Sequence, residues 1–177
     1  AKGTVYQHFK NKEEVILALA VETLEKRKRM FERAVVFRGR ARERMAAVGC
    51  AAELFVINFP DHFELEKVLS CSSIIEKTSE ALRLAKTAAE IKCISLVSGL
   101  VRDAIASGDL DLPGPISPDQ IVFGLWSLTY GGYSIMESQE TLIQMGIDDG
   151  FQMVRDISNQ FLDGFGWRPL SRETNYD

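Results

Sequence analysis

The beginning of the chain carries a dense group of side chains that are suited to binding phosphate. Lysine, threonine and tyrosine side chains, together with backbone N–H groups at helix starts, commonly hold the phosphate oxygens of nucleic acids. Polar and aromatic residues of this kind lie within about two helical turns at Lys2, Thr4, Tyr6, Gln7 and His8. Lys12 opens the next helix, where a cation opposes the helix dipole and therefore indicates an external anion. The pattern predicts contact with a polyanion.

A helix start follows directly after this group. Asn11 is a suitable N-cap, because its side-chain oxygen can accept hydrogen bonds from the N–H groups of the first turn. Glu14, three residues later, completes an Asn-x-x-Glu variant of the capping box. We therefore predict the end of one short helix, a tight turn, and a second helix that begins at Asn11.

The string Gly-Thr-x-Tyr-x-His-Phe-x-Asn-Lys-Glu-Glu at residues 3–14 resembles the recognition-helix signature of the TetR family of bacterial transcriptional repressors. The resemblance implies that Lys2, Gly3 and Gln7 face base edges of operator DNA. It also implies that the phosphate backbone is held by Thr4, Tyr6, His8 and Lys12. The family pattern has two further helices before this string, so we expect a fragment that lacks most of the DNA-binding domain.

The charge distribution is asymmetric along the chain. Residues 1–48 carry twelve Lys and Arg against six Asp and Glu, whereas the remainder carries nine against nineteen. A basic end on an acidic body is expected where one end meets a polyanion. Within the basic part, the run Lys26-Arg27-Lys28-Arg29 lies in the middle of a predicted helix. We interpret this run as a solvated helix face rather than as a nucleic-acid contact.

Several classes of site and protein are disfavoured by the sequence. The three cysteines, Cys50, Cys71 and Cys93, lie far apart and show no Cys-x-x-Cys spacing, which disfavours disulfides and zinc and fits a reducing cytoplasm. No apolar run approaches the roughly 20 residues that span a bilayer. The common enzyme motifs, such as a Gly-rich phosphate loop or Gly-x-Ser-x-Gly, are missing from the sequence. We expect a protein without a cofactor that is not an enzyme.

Apolar residues recur at helical intervals over most of the chain and predict an all-α helical bundle. The predicted helices run from Asn11 to Val36, Arg42 to Asn58, Asp61 to Leu69, Ile74 to Ser107, Ile121 to Ser138 and Asp148 to Phe165. Ser117 and Gln120 form a capping box before the fifth of these. The segment from Trp167 to Asp177 is expected to be a polar tail. We assign residues 1–36 to the remnant of the DNA-binding domain and residues 37–177 to a ligand-binding and dimerisation domain.

Aromatic residues in the middle helices are suited to enclosing an apolar cavity. The candidate lining residues are Phe55, Phe59, Phe63, Trp126, Tyr130, Tyr133 and Met136. Ordinary core packing is an alternative role for each of them, since aromatics at helical spacing usually lie in the core. Glu53 and Glu90 lie in apolar stretches and need a partner, either a cationic ligand or a basic residue of a neighbouring helix. Gly131 and Gly132 indicate a kink or the close approach of a helix or ligand.

The last two long helices have more aromatic residues along their edges than one subunit needs. An apolar edge is predicted at Phe123, Tyr130, Phe151, Val154, Phe161 and Phe165. Large apolar patches usually mark an interface, and the family resemblance implies a two-fold dimer in which these helices form a four-helix bundle.

The resemblance, with these observations beside it, implies a one-component transcriptional regulator, a repressor, that binds palindromic operator DNA as a dimer. An amphipathic or aromatic small molecule in the core would release the DNA. Two other classes stay open from the sequence: a helical protein–protein interaction module, and a helical-bundle enzyme with an uncommon site. A panel of small molecules in a thermal-shift screen and a turnover assay would separate the three.

Overall fold

The computed structural model describes residues 9–69, 75–136 and 139–176 and confirms the all-α class. These residues form helices and no strand. In chain order the helices are α1 (Lys12–Ala34), α2 (Ala41–Asn58), α3 (Pro60–Leu69), α4 (Glu80–Ser107), α5 (Pro118–Ile135), α6 (Gln139–Gln144) and α7 (Gly150–Gly164). None of the helices in these ranges is both long enough and apolar enough to cross a membrane.

Two of the predicted N-caps are confirmed by their hydrogen bonds. The Asn11 side chain accepts from the Glu14 backbone N–H at 2.8 Å, and the Ser117 hydroxyl accepts from the Gln120 N–H at 3.3 Å. The Gln120 side chain accepts from the Ser117 N–H at 2.8 Å, which completes that capping box. The Glu14 carboxylate instead accepts from Lys10, one residue before the cap. Each cap satisfies N–H groups that have no partner inside the helix.

The long helix predicted from Ile74 to Ser107 is wrong at its start, because α4 begins only at Glu80. Residue 74 itself lies outside the described residues. Ser79, the N-cap of α4, has an extended backbone with φ −66° and ψ 149°. Just before it, the Thr78 hydroxyl donates to the Ile75 carbonyl at 2.7 Å and closes a local turn. Serine and threonine side chains offer the backbone such alternatives to a continuous helix.

The helices form one packed bundle. Helix α1 packs along α4 and also against α2 and α3, while α5 packs against α4 and α7. The main core is built from α1, α2, α4, α5 and α7, and its most buried members include Leu100, Val101, Ala104, Ile121 and Trp167. A second, aromatic cluster centres on Phe55, Phe63, Tyr133 and Val154.

Contact between α5 and α7 depends on glycine. A Cβ added at Gly132 would lie 2.5 Å from a methyl carbon of Val154, and one at Gly124 would lie 2.4 Å from the Phe161 ring. The predicted close approach of a helix is therefore confirmed at Gly132. At Gly131 no atom lies within 4 Å of such a Cβ, so the neighbouring glycine does not serve this contact.

The end of the chain departs from the predicted polar tail. Trp167 is fully buried in the main core, and the Arg168 N–H donates to the Asp109 carbonyl at 2.8 Å. One tryptophan among polar residues shows no periodicity, which is why the pattern did not predict its burial. The short helix α6 was also not predicted, because six residues are too few to display a helical repeat.

Candidate functional site: an apolar cavity with buried charges

A cavity of about 490 Å³ lies between the helices. Its walls are side chains of α1 to α5 and α7. Most of these residues are apolar, and they include three small residues of α2, Ala46, Gly49 and Ala52. The partly exposed Trp126 and the exposed Cys50 also line the cavity, so it reaches the surface near them. The volume is in the range of small-molecule pockets.

The structure places four of the seven candidate pocket residues on this cavity: Phe63, Trp126, Tyr130 and Tyr133. Phe63 meets Tyr130 edge to face, with ring centroids 5.7 Å apart. The other three lie beside the cavity rather than on it. Phe55 is fully buried in the aromatic cluster, and Phe59 and Met136 pack against that cluster. The core-packing alternative therefore describes these three residues.

Arg42, which the sequence analysis did not single out, is a charged residue on the cavity wall. Its side chain is only 1% exposed. The Nη2 atom donates to the carbonyl oxygen of Asn159 at 3.0 Å and to the carboxylate of Asp163 at 3.1 Å. The ring of Tyr176 lies over the guanidinium, 5.0 Å from ring centroid to Cζ. Burial lowers the pKa of Arg42, and Asp163 and Tyr176 oppose that shift.

A largely buried ion pair lies on the cavity wall formed by α1 and α3. Arg27 Nη2 contacts Glu66 Oε2 at 2.8 Å, with side chains that are 15% and 12% exposed. The Arg27 guanidinium also lies over the Phe55 ring, 4.4 Å from its centroid. Burial raises the pKa of Glu66, and Arg27 opposes that shift. The interpretation of residues 26–29 as a solvated face is therefore wrong for Arg27, which α1 directs inward.

Glu53 and Glu90, the two acidic residues in apolar stretches of the sequence, both have basic partners. Glu53 accepts from Arg155 of α7 at 2.7 and 2.6 Å, and Glu90 pairs with Lys86 one turn earlier on α4. Arg155, Lys86 and Glu90 line the cavity. For Glu53 the structure thus supports the basic residue of a neighbouring helix, and for Glu90 it shows a partner on the same helix.

Histidine and cysteine do not build a metal site in the described part of the chain. No group of three potential ligands from His, Cys, Asp and Glu occurs there. His62 bridges α3 to α1, because its Nδ1 lies 2.7 Å from the Thr23 hydroxyl and its Nε2 lies 2.9 Å from Lys26 Nζ. Burial raises the pKa of the Cys93 thiol to about 11, which makes it a poor nucleophile. Cys50 is exposed, and Cys71 lies outside the described residues.

Most of the candidate DNA-binding residues precede the described part of the chain. Lys2, Gly3, Thr4, Tyr6, Gln7 and His8 lie outside the described residues. Lys12 is described, and it is the exposed first residue of α1. That position is the one predicted from the capping pattern.

The six candidate interface residues do not form one exposed edge. Phe123 is 64% exposed, whereas Val154 is 8% exposed and belongs to the aromatic cluster. The remaining four are partly buried within the subunit: Tyr130 on the cavity, Phe151 against Tyr133, and Phe161 and Phe165 against each other and the main core. Their helical spacing turns them toward the neighbouring helices of their own chain. Other apolar side chains of α5 and α7 are exposed by 36 to 57%, namely Trp126, Ile135, Met153 and Ile157.

Comparisons with known proteins extend the description of the fold. No family model matches the chain, and no curated protein matches it. A solved structure of a protein with unknown function from Rhodococcus sp. RHA1 is similar, with a TM-score of 0.65. The two chains are 23% identical, and the match covers 90% of this chain and 75% of that chain. This chain therefore shares its helical fold with the Rhodococcus protein.

Proposed function

We propose that the chain is the ligand-binding and dimerisation part of a one-component transcriptional regulator of the TetR type. The observation that carries the proposal is that α1 belongs both to the DNA-reading string and to the wall of the cavity. This helix begins at Lys12, inside the string that resembles a recognition-helix signature, and it also forms a wall of the cavity through Leu24, Arg27 and Phe31. A molecule in the cavity therefore contacts the helix that follows the DNA-reading segment.

A ligand in the cavity can control DNA binding only if the cavity and the DNA-reading segment are coupled through an element that adopts two positions. Helix α1 is suited to that role, because two sets of polar contacts join it to α3. These contacts are the Arg27–Glu66 pair and the bridge from His62 to Thr23 and Lys26. A ligand that displaces Arg27 or Glu66 would shift α1 relative to α3. The shift would change the position of the DNA-reading segment.

The DNA-binding part of the proposal predicts a defined salt dependence. In a version of the chain that includes any residues encoded before Ala1, Lys12→Ala is expected to weaken binding to all DNA sequences alike. The slope of log K against log salt should fall by about one, because one phosphate contact is lost. Binding to operator sequences selected from a genomic DNA pool would be measured at several salt concentrations.

Lys92→Ala is the matched control, since Lys92 is an exposed lysine in the middle of α4. This control should leave the salt slope unchanged. If no sequence is selected from the pool, or if Lys12→Ala changes sequence preference at an unchanged slope, the assignment is wrong.

The dimerisation part of the proposal is supported by the exposed apolar side chains of α5 and α7. Phe123→Asp is expected to convert a dimer into a monomer at micromolar concentration, because burying an unpaired carboxylate in an apolar interface is unfavourable. Phe161 is unsuitable for this test, since its ring packs against Gly124 inside the subunit. Sedimentation equilibrium would give the mass of each species.

Leu84→Asp provides the control for this measurement. Leu84 is 63% exposed, close to the 64% of Phe123, but it lies on α4. The control should remain a dimer. A monomeric parent, or equal effects of the two substitutions, would contradict an interface on α5 and α7.

A further inference from the structure

The buried polar atoms that lack a partner are concentrated on the cavity. In the described part of the chain, seven buried side-chain nitrogen or oxygen atoms make no hydrogen bond. Five of them belong to residues that line the cavity: Arg27, Arg42, Glu66 and Ser158. Buried polar groups without partners are rare in folded proteins, and each one calls for an explanation. A bound molecule with a polar group of its own would supply partners for some of these atoms.

The cavity has one end at Arg27 and Glu66 and another at Arg42, and the hydrogen-bond partners that are missing differ between these two ends. Arg27 and Glu66 form a one-to-one ion pair, so their end has no excess charge. At the other end, Arg42 retains two donor atoms, Nε and Nη1, without an acceptor. The hydroxyl of Ser158, which lines the cavity and directly precedes the Asn159 that Arg42 contacts, is also unpartnered. Arginine carries donors only, and it remains charged in proteins. Two donor atoms of a cation at this end therefore lack an acceptor, which favours an acceptor with negative charge.

The carboxylate that already pairs with Arg42 does not fully neutralise the charge of the guanidinium. Asp163 is the carboxylate that meets Arg42, but its side chain is 23% exposed whereas that of Arg42 is 1% exposed. The same carboxylate also accepts from the Ser171 N–H at 3.0 and 3.1 Å. Its charge is thus shared with a second donor and with solvent. The guanidinium is the more desolvated partner, and a further anion would be held there by a strong, charge-assisted hydrogen bond.

The wall of the cavity extends along most of α2, which leaves space for an elongated molecule. Helix α2 runs along the cavity, and residues from Arg42 to Val56 line the wall. With a rise of about 1.5 Å per residue, these fourteen steps correspond to roughly 20 Å. Between the two ends, the wall of α2 is formed by apolar or small side chains, namely Met45, Ala46, Val48, Gly49, Cys50 and Ala52. The matching ligand has one anionic end and a long apolar body.

We propose that the cavity binds an elongated apolar carboxylate, with its carboxylate held by Arg42 and Ser158 and its chain lying along α2 toward Val56. This inference rests on the ligand-binding part of the proposed function and names the chemical class of the ligand. The Arg27–Glu66 pair closes the far end of the cavity, where the apolar tail of a long ligand would reach α1.

The test compares three molecules of equal chain length on the full chain: dodecanoate, its methyl ester, and dodecanol. Dodecanoate is expected to bind about tenfold to a hundredfold more tightly than the two neutral molecules, as the loss of a charged hydrogen bond predicts. Calorimetry would give the dissociation constants. The rate of Cys50 alkylation provides a second readout, because an occupied cavity should shield this residue, which is exposed and lines the cavity.

Variants then locate the carboxylate. Arg42→Met should reduce the affinity for dodecanoate to that of the methyl ester, whereas Ser158→Ala should reduce it by about twofold to tenfold. Arg44→Met is the matched control. Arg44 lies two residues after Arg42 on α2, but it pairs with Asp103 and does not line the cavity. Circular dichroism would show whether each variant folds. If Arg42→Met does not fold, Ser158→Ala and the comparison of ligands on the parent chain decide the question.

The outcomes separate this inference from the proposed function. Equal binding of dodecanoate and its methyl ester would overturn the carboxylate assignment while leaving a ligand-binding cavity in place. If a folded Arg42→Met variant binds dodecanoate with the affinity of the parent chain, the placement of the carboxylate is wrong. If Arg42→Met does not fold, unchanged affinity of Ser158→Ala for dodecanoate overturns the same placement. If none of the three molecules binds or protects Cys50, the ligand class is wrong, whereas the DNA and dimer experiments still test the remaining parts of the proposal.

Discussion

Trp167→Ala is expected to lower the free energy of unfolding by about 3–5 kcal/mol, as for other large aromatic residues that are removed from a core. Trp167 is fully buried and packs in the main core cluster. For a chain of this size, the change corresponds to a fall in melting temperature of roughly 6–20 °C. Urea denaturation followed by circular dichroism would measure it.

Local backbone geometry brings Trp167 into the core. Gly166 has a φ of +68°, a left-handed conformation that ends α7 and reverses the chain. The Trp167 N–H then donates to the Leu162 carbonyl at 3.3 Å, and Arg168 donates to Asp109. The segment after α7 is therefore attached to the loop after α4. Removal of the indole would leave a void between these two parts of the chain.

Trp126→Ala is the matched control for this prediction. The side chain is the same, but Trp126 is 48% exposed on α5 and lines the cavity. Its removal should cost clearly less stability than the removal of Trp167. Equal losses at the two positions would contradict the burial of the segment after α7.

Gly132→Ala is expected to destabilise the chain by about 1–3 kcal/mol through overpacking between α5 and α7. The added Cβ would lie 2.5 Å from a methyl carbon of Val154. Valine in a helix strongly prefers one side-chain rotamer, so this methyl group does not move aside easily. The helices would have to separate, which would also loosen the contact at Gly124. Thermal denaturation monitored by circular dichroism would measure the effect.

The adjacent Gly131 is a suitable control for the same experiment. It lies in the same helix, but an added Cβ meets no atom within 4 Å. Gly131→Ala should therefore show only the higher helix propensity of alanine, a gain of up to about 1 kcal/mol. A loss of stability at Gly131 as large as that at Gly132 would contradict the assignment of the close helix contact to Gly132.

Features set by neighbours along the chain were readable from the sequence. The caps at Asn11 and Ser117 and the apolar repeats of the long helices depend on residues three or four positions apart. They predicted the all-α class correctly and most of the helix bounds to within two residues, although the helix predicted from Ile121 to Ser138 runs from Pro118 to Ile135. The start of α4 was missed for a local reason, because the apolar pattern continued across the turn at Thr78 and Ser79. The aromatic pocket was predicted in part, since Phe63, Tyr130 and Tyr133 combine aromatic character with helical spacing.

Features that join distant parts of the chain appeared only in the folded structure. Arg42 meets Asp163 across more than a hundred residues, and Trp167 enters a core built by earlier helices. Spacing also did not show which face of α7 turns inward, so Val154 was assigned to an interface but lies in the subunit core. Hydrophobic periodicity shows that a helix has an apolar face, but not which helix covers it. The charge at the end of the cavity was therefore decided by packing, which places one of the arginines of α2, Arg42, against α7 and away from water.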